Sequence, residues 1–316
     1  MKWKKLGKIF DPTEHKLPNG CSEFAQSPQT LVFDDFVRIY FSTRAKDSTG
    51  KFLSHIAFVD FDKDLKNIQR ISSDTVIKLG NLGCFDEHGI FPINPVMHEG
   101  RILAYTTGWS RRVSVSVETS IGLAYSEDNG LTFRKVGEGP VLTSSLHEPF
   151  LVGDAFVCVF AGVYYMWYIF GTKWAEYDKG SQPDRVYKIG YATSADGITW
   201  AKQDKRLIAD KLNEDECQAL PTVIKIKDTY HMFFCYREAV GFRKTKGRGY
   251  RIGYAYSSDL VNWTRDDDKG IDVSANSWDS DMMCYPHVFE CNGKVYLLYN
   301  GNEFGKYGFG LAVLEE

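Results

Sequence analysis

Glu23, Glu87, Glu216 and Asp281 each stand five residues ahead of a proline, namely Pro28, Pro92, Pro221 and Pro286. A fifth acid, Asp154, lies directly before Ala155, where the same register puts the missing proline. Asp86, His88, His147, Glu148, Asp215 and Asp279 are close by in sequence. Carboxyls gathered in one pocket raise one another's pKa, which leaves one protonated as an acid beside an ionised base. That pair, flanking a single bond, is what glycoside hydrolysis needs. On this reading Glu216 and Glu23 are the candidate acid and base, and Asp154 orients or tunes them. Glu87, His88, Asp281 and Glu148 are candidate substrate contacts. The same acids are also able to serve as polar residues leading into a strand and capping its backbone donors.

A second set has a different chemistry. Arg44 ends Tyr40-Phe-Ser-Thr-Arg, and Arg237 with Glu238 follows Phe233-Phe-Cys-Tyr. Trp109, Arg111 and Arg112 follow Tyr105-Thr-Thr-Gly. Lys173, Trp174 and Arg185 belong to a longer loop, and Asn300, Asn302 and Glu303 to Tyr299-Asn-Gly-Asn-Glu. Tryptophan rings suit sugar faces, and guanidinium forks suit carboxylate or phosphate. Arg44 and Arg237 hold the same place in two repeats, and are expected to clamp an anionic group. Arg111 and Arg112 read as solvated surface charge.

The elements that must position these residues are repeats. Ile121–Phe133, Ile189–Trp200 and Ile252–Trp263 are near copies of one another, with a weaker copy at His55–Leu65 and a truncated one at Gly308–Leu314. Within a copy, small and apolar residues alternate, a Ser-x-Asp turn follows, and an aromatic residue closes the segment. That is strand, turn, strand. Asp128, Asp196 and Asp259 are placed to hold the turns through backbone N–H groups. Ahead of each copy runs a strand dense in β-branched and aromatic residues, such as Tyr164–Ile169, and ahead of that a first strand opened by the proline. No segment has a sustained helical period. Four antiparallel strands repeated five times predict an all-β fold, a five-bladed β-propeller. Trp3–Phe10 has the form of the missing outer strand of the last copy, so the N-terminus is expected to close the last blade.

One repeat system fills the 316 residues, which predicts a single domain spanning 1–316. The net charge of −3 argues against nucleic acid as a partner. No apolar run is long enough to span a bilayer and no secretory segment opens the chain, so a cytoplasmic location without membrane association is expected. The 7 cysteines then read as reduced thiols. Their spacing matches no ligand pattern, so neither a metal nor a cofactor is expected. The oligomeric state is open.

The chain resembles the five-bladed propeller superfamily of arabinanases, levansucrases and invertases, glycoside hydrolase families 32, 43, 62 and 68. The resemblance covers the whole chain and is carried by the repeat count and by hairpins such as Ser194-Ala-Asp-Gly-Ile-Thr-Trp200. It implies an enzyme acting on a small saccharide or glycoconjugate. In family 43 the base is an Asp before the first-repeat proline, a tuning Asp sits at the matching third-repeat position, and the acid is a Glu two before the fourth-repeat proline. Asp154 matches the tuner. The base position holds Ser27 and the acid position Ala219. The resemblance therefore leaves as the leading reading a glycosidase with Glu216 and Glu23 as replacements, and as alternatives an enzyme of glycosyl transfer or phosphorolysis needing one carboxyl and a non-catalytic saccharide-binding propeller. The chain also looks like glycosidase-like propellers associated with bacterial surface-polysaccharide synthesis. Ser126–Phe133 matches the Asp box of sialidases, but those have six blades and a Phe-Arg-Ile-Pro segment that this chain lacks.

Overall fold

The computed structural model describes residues 1–177, 180 and 182–315. Its regular structure is strand throughout, interrupted only by short 3-10 turns. The first strand, β1 (Trp3–Phe10), is the odd one, because its partner comes from the other end of the chain. The others run in sets: β2 (Glu23–Val32), β3 (Phe36–Lys46), β4 (Phe52–Asp62) and β5 (Ile68–Ile71); then β6 (Gly89–His98), β7 (Arg101–Arg111), β8 (Val117–Ser126) and β9 (Arg134–Lys135). A third set is β10 (Val152–Phe160), β11 (Val163–Ala175), β12 (Asp184–Ser194) and β13 (Ala201–Lys202). The fourth is β14 (Cys217–Ile226), β15 (Thr229–Arg237), β16 (Arg251–Ser257) and β17 (Thr264–Arg265). The last is β18 (Cys284–Cys291), β19 (Lys294–Asn300) and β20 (Phe309–Leu314).

The third, fourth and last sets are separate four-stranded antiparallel sheets, the last completed by β1 against β20. The first two sets join into one sheet through a single parallel pair, Ser54 opposite Gly89. The N-terminal strand thus pairs where its sequence predicts. First strands also touch in succession: β2 meets β6, β6 meets β10, β10 meets β14, β14 meets β18, and β18 meets β2. Side chains stitch these contacts. Asn94 donates to Gln29 and accepts the Val157 N–H, Thr222 accepts the Val288 N–H, and His287 Nε2 accepts the Thr30 N–H. Such stitches satisfy backbone groups where two strands meet without a ladder.

The prolines are not strand openers, as the sequence suggested, but lie well inside the first strands. The ladder shifts register across Pro28, Pro92, Pro221 and Pro286, and across Ala155 in the third set. A proline has no N–H to give, so it is tolerated at a bulge. The residue before the bulge is left-handed in four sets: Ser27, Asp154, Leu220 and Tyr285 have φ of 54°, 53°, 47° and 57°. The Phe91–Pro92 bond is cis. The register that aligned Asp154 with the proline positions is therefore real in space.

The Ser-x-Asp turns form as expected. Asp196 Oδ1 accepts the N–H groups of Ile198 and Thr199, and Asp259 Oδ1 those of Val261 and Asn262. These bonds hold the Asp196 carboxyl down at about 2. Two of the turns also lock neighbouring sets. Buried Tyr40 of the first donates its hydroxyl to the Gly130 carbonyl of the second at 2.6 Å, and Tyr105 of the second bonds Gly197 of the third at 2.9 Å. Gly130 has φ of +76°, and a Cβ there would lie 2.2 Å from the Tyr40 oxygen, so glycine is needed twice over.

Candidate active site in a cation-lined cavity

One large cavity, about 910 Å³, opens among the ends of the first and second strands and the loops beyond them. A smaller annex of about 200 Å³ adjoins it, sharing Arg185, Tyr187, Phe242, Arg243, Tyr250, Tyr285 and Phe304 as walls.

Of the expected acids, only Asp154 and Asp281 line the cavity. Asp154 stands on the left-handed bulge of β10, and its N–H donates to Thr107 Oγ1 at 2.7 Å. Its side chain is buried, and loss of hydration pushes the carboxyl up to about 7, against the pull of the Arg185 charge and the Leu220 N–H. It is therefore divided between acid and carboxylate near neutrality. Asp281 is exposed at the rim, where its N–H donates to Asn302 and its carbonyl accepts from Arg251.

The other acids do not converge, and the reason is structural. Glu216 is fully buried. Its carboxylate accepts the Lys211 and Leu212 N–H groups, the Gln218 amide and, at 2.6 Å, Arg265 Nη1. Arg265 lies on the short outer strand of the same sheet, and the pattern repeats. Lys135 on β9 pairs with Asp86, Lys202 on β13 with Glu148, and Lys5 on β1 with Asp279. In all four sheets the cation faces an alanine of the third strand: Ala124, Ala192, Ala255 and Ala312. The small side chain leaves room for the cation to reach inward. Asp86, Glu148, Glu216 and Asp279, ahead of their first strands, thus clamp four of the outer strands to their sheets, and neither Glu216 nor Glu148 borders the cavity. In the first set Ile71 holds the cation's place opposite Val59, so this clamp is absent there.

The remaining expectations divide similarly. Glu23 pairs with Arg44 through backbone register and is absent from the cavity wall. Glu87 accepts the Gly83 N–H and lies 3.9 Å from His88, which stacks behind Trp109. Trp109 does line the cavity, packed over Gly89, where a Cβ would meet the indole at 2.2 Å. Asn300 is a latch, accepting from Ser27 N and donating to the Ala25 and Gly308 carbonyls. Arg44 lines the main cavity and Arg237 the annex, so the two do not form one clamp.

The sequence singles out Arg44, Arg185 and Arg237, but not Arg243, Lys244 and Lys246, which add to the charge of the cavity. Arg44, Arg185, Arg243, Lys244, Lys246 and Lys306 line the cavity against Asp154, Asp281 and Glu303, a cationic surplus in a chain whose net charge is −3. Among the described residues, Arg44, Arg185, Arg237, Arg243, Lys244 and Lys246 form no ion pair, whereas the buried cations elsewhere do: Arg38 with Asp60, Lys188 with Asp210, Arg265 with Glu216. In the annex, Arg237 lies 3.6 Å over the Phe242 ring and donates to Tyr187, whose hydroxyl meets that of Tyr250 at 2.5 Å. The signal was in the sequence: Arg243, Lys244, Lys246, Arg248 and Arg251 crowd the segment after β15 with no acid among them.

No family model matches the chain. Two proteins of Mycobacterium tuberculosis, Uncharacterized protein MT1551 and Uncharacterized protein Rv1502, are 36% identical over 100% of both chains. The chain belongs to their family. A shorter stretch of 116 residues, 36% of this chain and 35% of the other, is 30% identical to a 1,2-beta-oligomannan phosphorylase of Thermoanaerobacter. Among solved structures, a glycoside hydrolase superposes with a TM-score of 0.74 at 17% identity, covering 99% of this chain and 92% of that one. A member of the GH130 family of mannoside phosphorylases and β-1,2-mannosidic glycoside hydrolases superposes with a TM-score of 0.70 at 14% identity over 99% and 93%. The chain therefore has the fold of the propeller glycoside hydrolases that its sequence resembles.

Proposed function

We propose that the chain is an enzyme of glycosyl transfer to or from phosphate, acting on a saccharide in the cavity with Asp154 as general acid. It would do so as a single five-bladed propeller closed by β1, a reading supported by the succession of first-strand contacts ending with β18 on β2. The observation that carries the function is the pairing of one buried carboxyl, poised at about 7, with a group of arginines that have no acid partner among the described residues. An inverting glycoside hydrolase activates water with a second carboxylate, and a retaining one uses that carboxylate as the nucleophile. Here Glu216 and Glu23, the expected candidates, do not line the cavity, and the adjoining annex is walled by Arg185, Arg237 and Arg243 against one acid, Asp184. Phosphate brings its own nucleophilic oxygen and needs only positioning and charge stabilisation.

In this scheme Arg185, Arg237 and Arg243 hold phosphate, with the Tyr187 and Tyr250 hydroxyls as further donors. A phosphate oxygen bonds to the anomeric carbon as the glycosidic C–O bond breaks. The proton of Asp154 passes to the departing oxygen, giving a sugar 1-phosphate and a shortened saccharide. The local likeness to a phosphorylase supports this over hydrolysis. The 7 free thiols are consistent with a cytoplasmic setting, where sugar phosphates are retained. The test is a panel of sugar 1-phosphates with acceptor sugars, assayed for inorganic phosphate release. Release that Asp154→Asn lowers about 10²–10⁴-fold supports the reading. Turnover of glycosides that ignores phosphate would return the chain to the hydrolases.

A further inference from the structure

We infer that the saccharide taken by this cavity carries a negative group of its own, a carboxylate or a phosphate ester, and that Arg44 is its receptor. The inference rests on the cavity being the saccharide site, and not on the reaction that follows.

Arg44 ends its strand pair inside an aromatic collar. Its guanidinium lies 4.5 Å from the Phe24 ring and 5.7 Å from Phe52, and the two rings meet edge to face. Nothing among the described residues neutralises it, and its Nε is buried without a partner. Burial, and then the charge of Arg243, push its pKa down. Arg38 shows what this motif looks like when complete. It sits in a similar nest of Phe33, Phe36 and Phe58, yet Asp60 takes its Nε and Nη2 in a fork at 2.7 Å each. Arg44 is that arrangement with the carboxylate missing and a cavity in its place. A fork of donors left unmade in a desolvated site costs free energy that a planar anion recovers.

The collar is held under strain. Phe24 has φ of 70°, a region that bulky residues rarely enter. Its N–H is fixed to the Lys306 carbonyl at 3.1 Å, so the ring is kept against Arg44. Neither Arg44, Phe24 nor Phe52 borders the annex, so this is a second anion position, apart from the proposed phosphate. A sugar ring lying on the phenyl faces would present an acidic substituent to the fork. The receptor accepts either a uronate or a phosphorylated sugar, since both offer two oxygens in one plane.

The experiment is calorimetric titration of three oligosaccharide sets into the full chain without phosphate: neutral, uronate-bearing and phosphate-ester-bearing. The expected result is that one acidic set binds about 10- to 100-fold more tightly than its neutral parent, the worth of one charge-assisted fork. Which set does so identifies the source of the charge. Arg44→Met keeps the contact with both rings, and is expected to erase that preference while leaving phosphate binding unchanged. Its melting temperature should equal or exceed that of the parent, since it removes an unpaired charge. Equal binding of neutral and acidic sets, no binding of either acidic set, or a preference that survives Arg44→Met would each overturn the inference. Phosphate-dependent turnover of a neutral saccharide would leave the proposed reaction standing and remove only this inference.

Discussion

Glu216 and Arg265 face each other at 2.6 Å across a single sheet, the acid just ahead of the first strand and the cation on the fourth. Asp86 with Lys135, Glu148 with Lys202, and Asp279 with Lys5 repeat that relation in three other sheets. The brace recurs from sheet to sheet, but of the four acids that stand five residues ahead of a proline only Glu216 takes part in it. Removing one partner leaves a buried charge uncompensated. Glu216→Gln is expected to lower unfolding stability by about 3 kcal/mol, near the lower end of the range because Asp267 still pairs with Arg265. Urea unfolding measures this. Unchanged stability with lost turnover would instead make Glu216 a reacting group.

How much was legible follows from the same residues. The repeats, the Ser-x-Asp turns and the partner of β1 could be read because each depends on local pattern or on a strand's missing neighbour. The position of Asp154 could be read because a bulge imposes one register on every first strand. The fate of Glu216 could not be read, because its partner lies 49 residues away and the alanine that makes room for it looks like any small strand residue. Arg44 and Arg237 could be picked out by their matching places in two repeats, but that they and Arg243 lack a counter-charge could not, because a sequence shows where charges are and not how they pair.

The Asp154 carboxyl, raised to about 7, binds a proton in the folded chain that it would release in the unfolded chain. Between the unfolded value near 4 and the folded value, stability contributed by this group falls as pH rises. Asp154→Asn removes that penalty. The variant is expected to be more stable than the parent above pH 7, by about 4 kcal/mol, with the gain fading to nothing by about pH 4. Melting curves across that interval test it, and a gain that grows toward acid would show that Asp154 is ionised by a partner.

Tyr40 and Gly130 couple the first and second strand sets. Gly130→Ala puts a methyl group onto the Tyr40 oxygen and forces alanine to φ of +76°, so a loss of about 1–3 kcal/mol is expected. Tyr40→Phe should recover part of it, because the oxygen that clashes is gone. A double-mutant cycle in denaturant measures the coupling, and strictly additive losses would mean the two do not touch.

Removal of residues 1–10 strips β1 from β20 and takes Lys5 from the buried Asp279. The exposed edge can then pair with another chain. Sedimentation of the truncated protein is expected to show aggregate. A soluble monomer with the parent's melting temperature would mean that the last sheet does not need β1.

Phosphate binding in the annex can be measured without knowledge of the sugar. Calorimetric titration of inorganic phosphate into the full chain at low salt is the direct measurement. Saturable phosphate binding is predicted, with affinity at the annex lowered about tenfold or more by Arg185→Met, the loss of one charge-assisted contact. Absence of saturable phosphate binding, or binding that Arg185→Met leaves untouched, would contradict it.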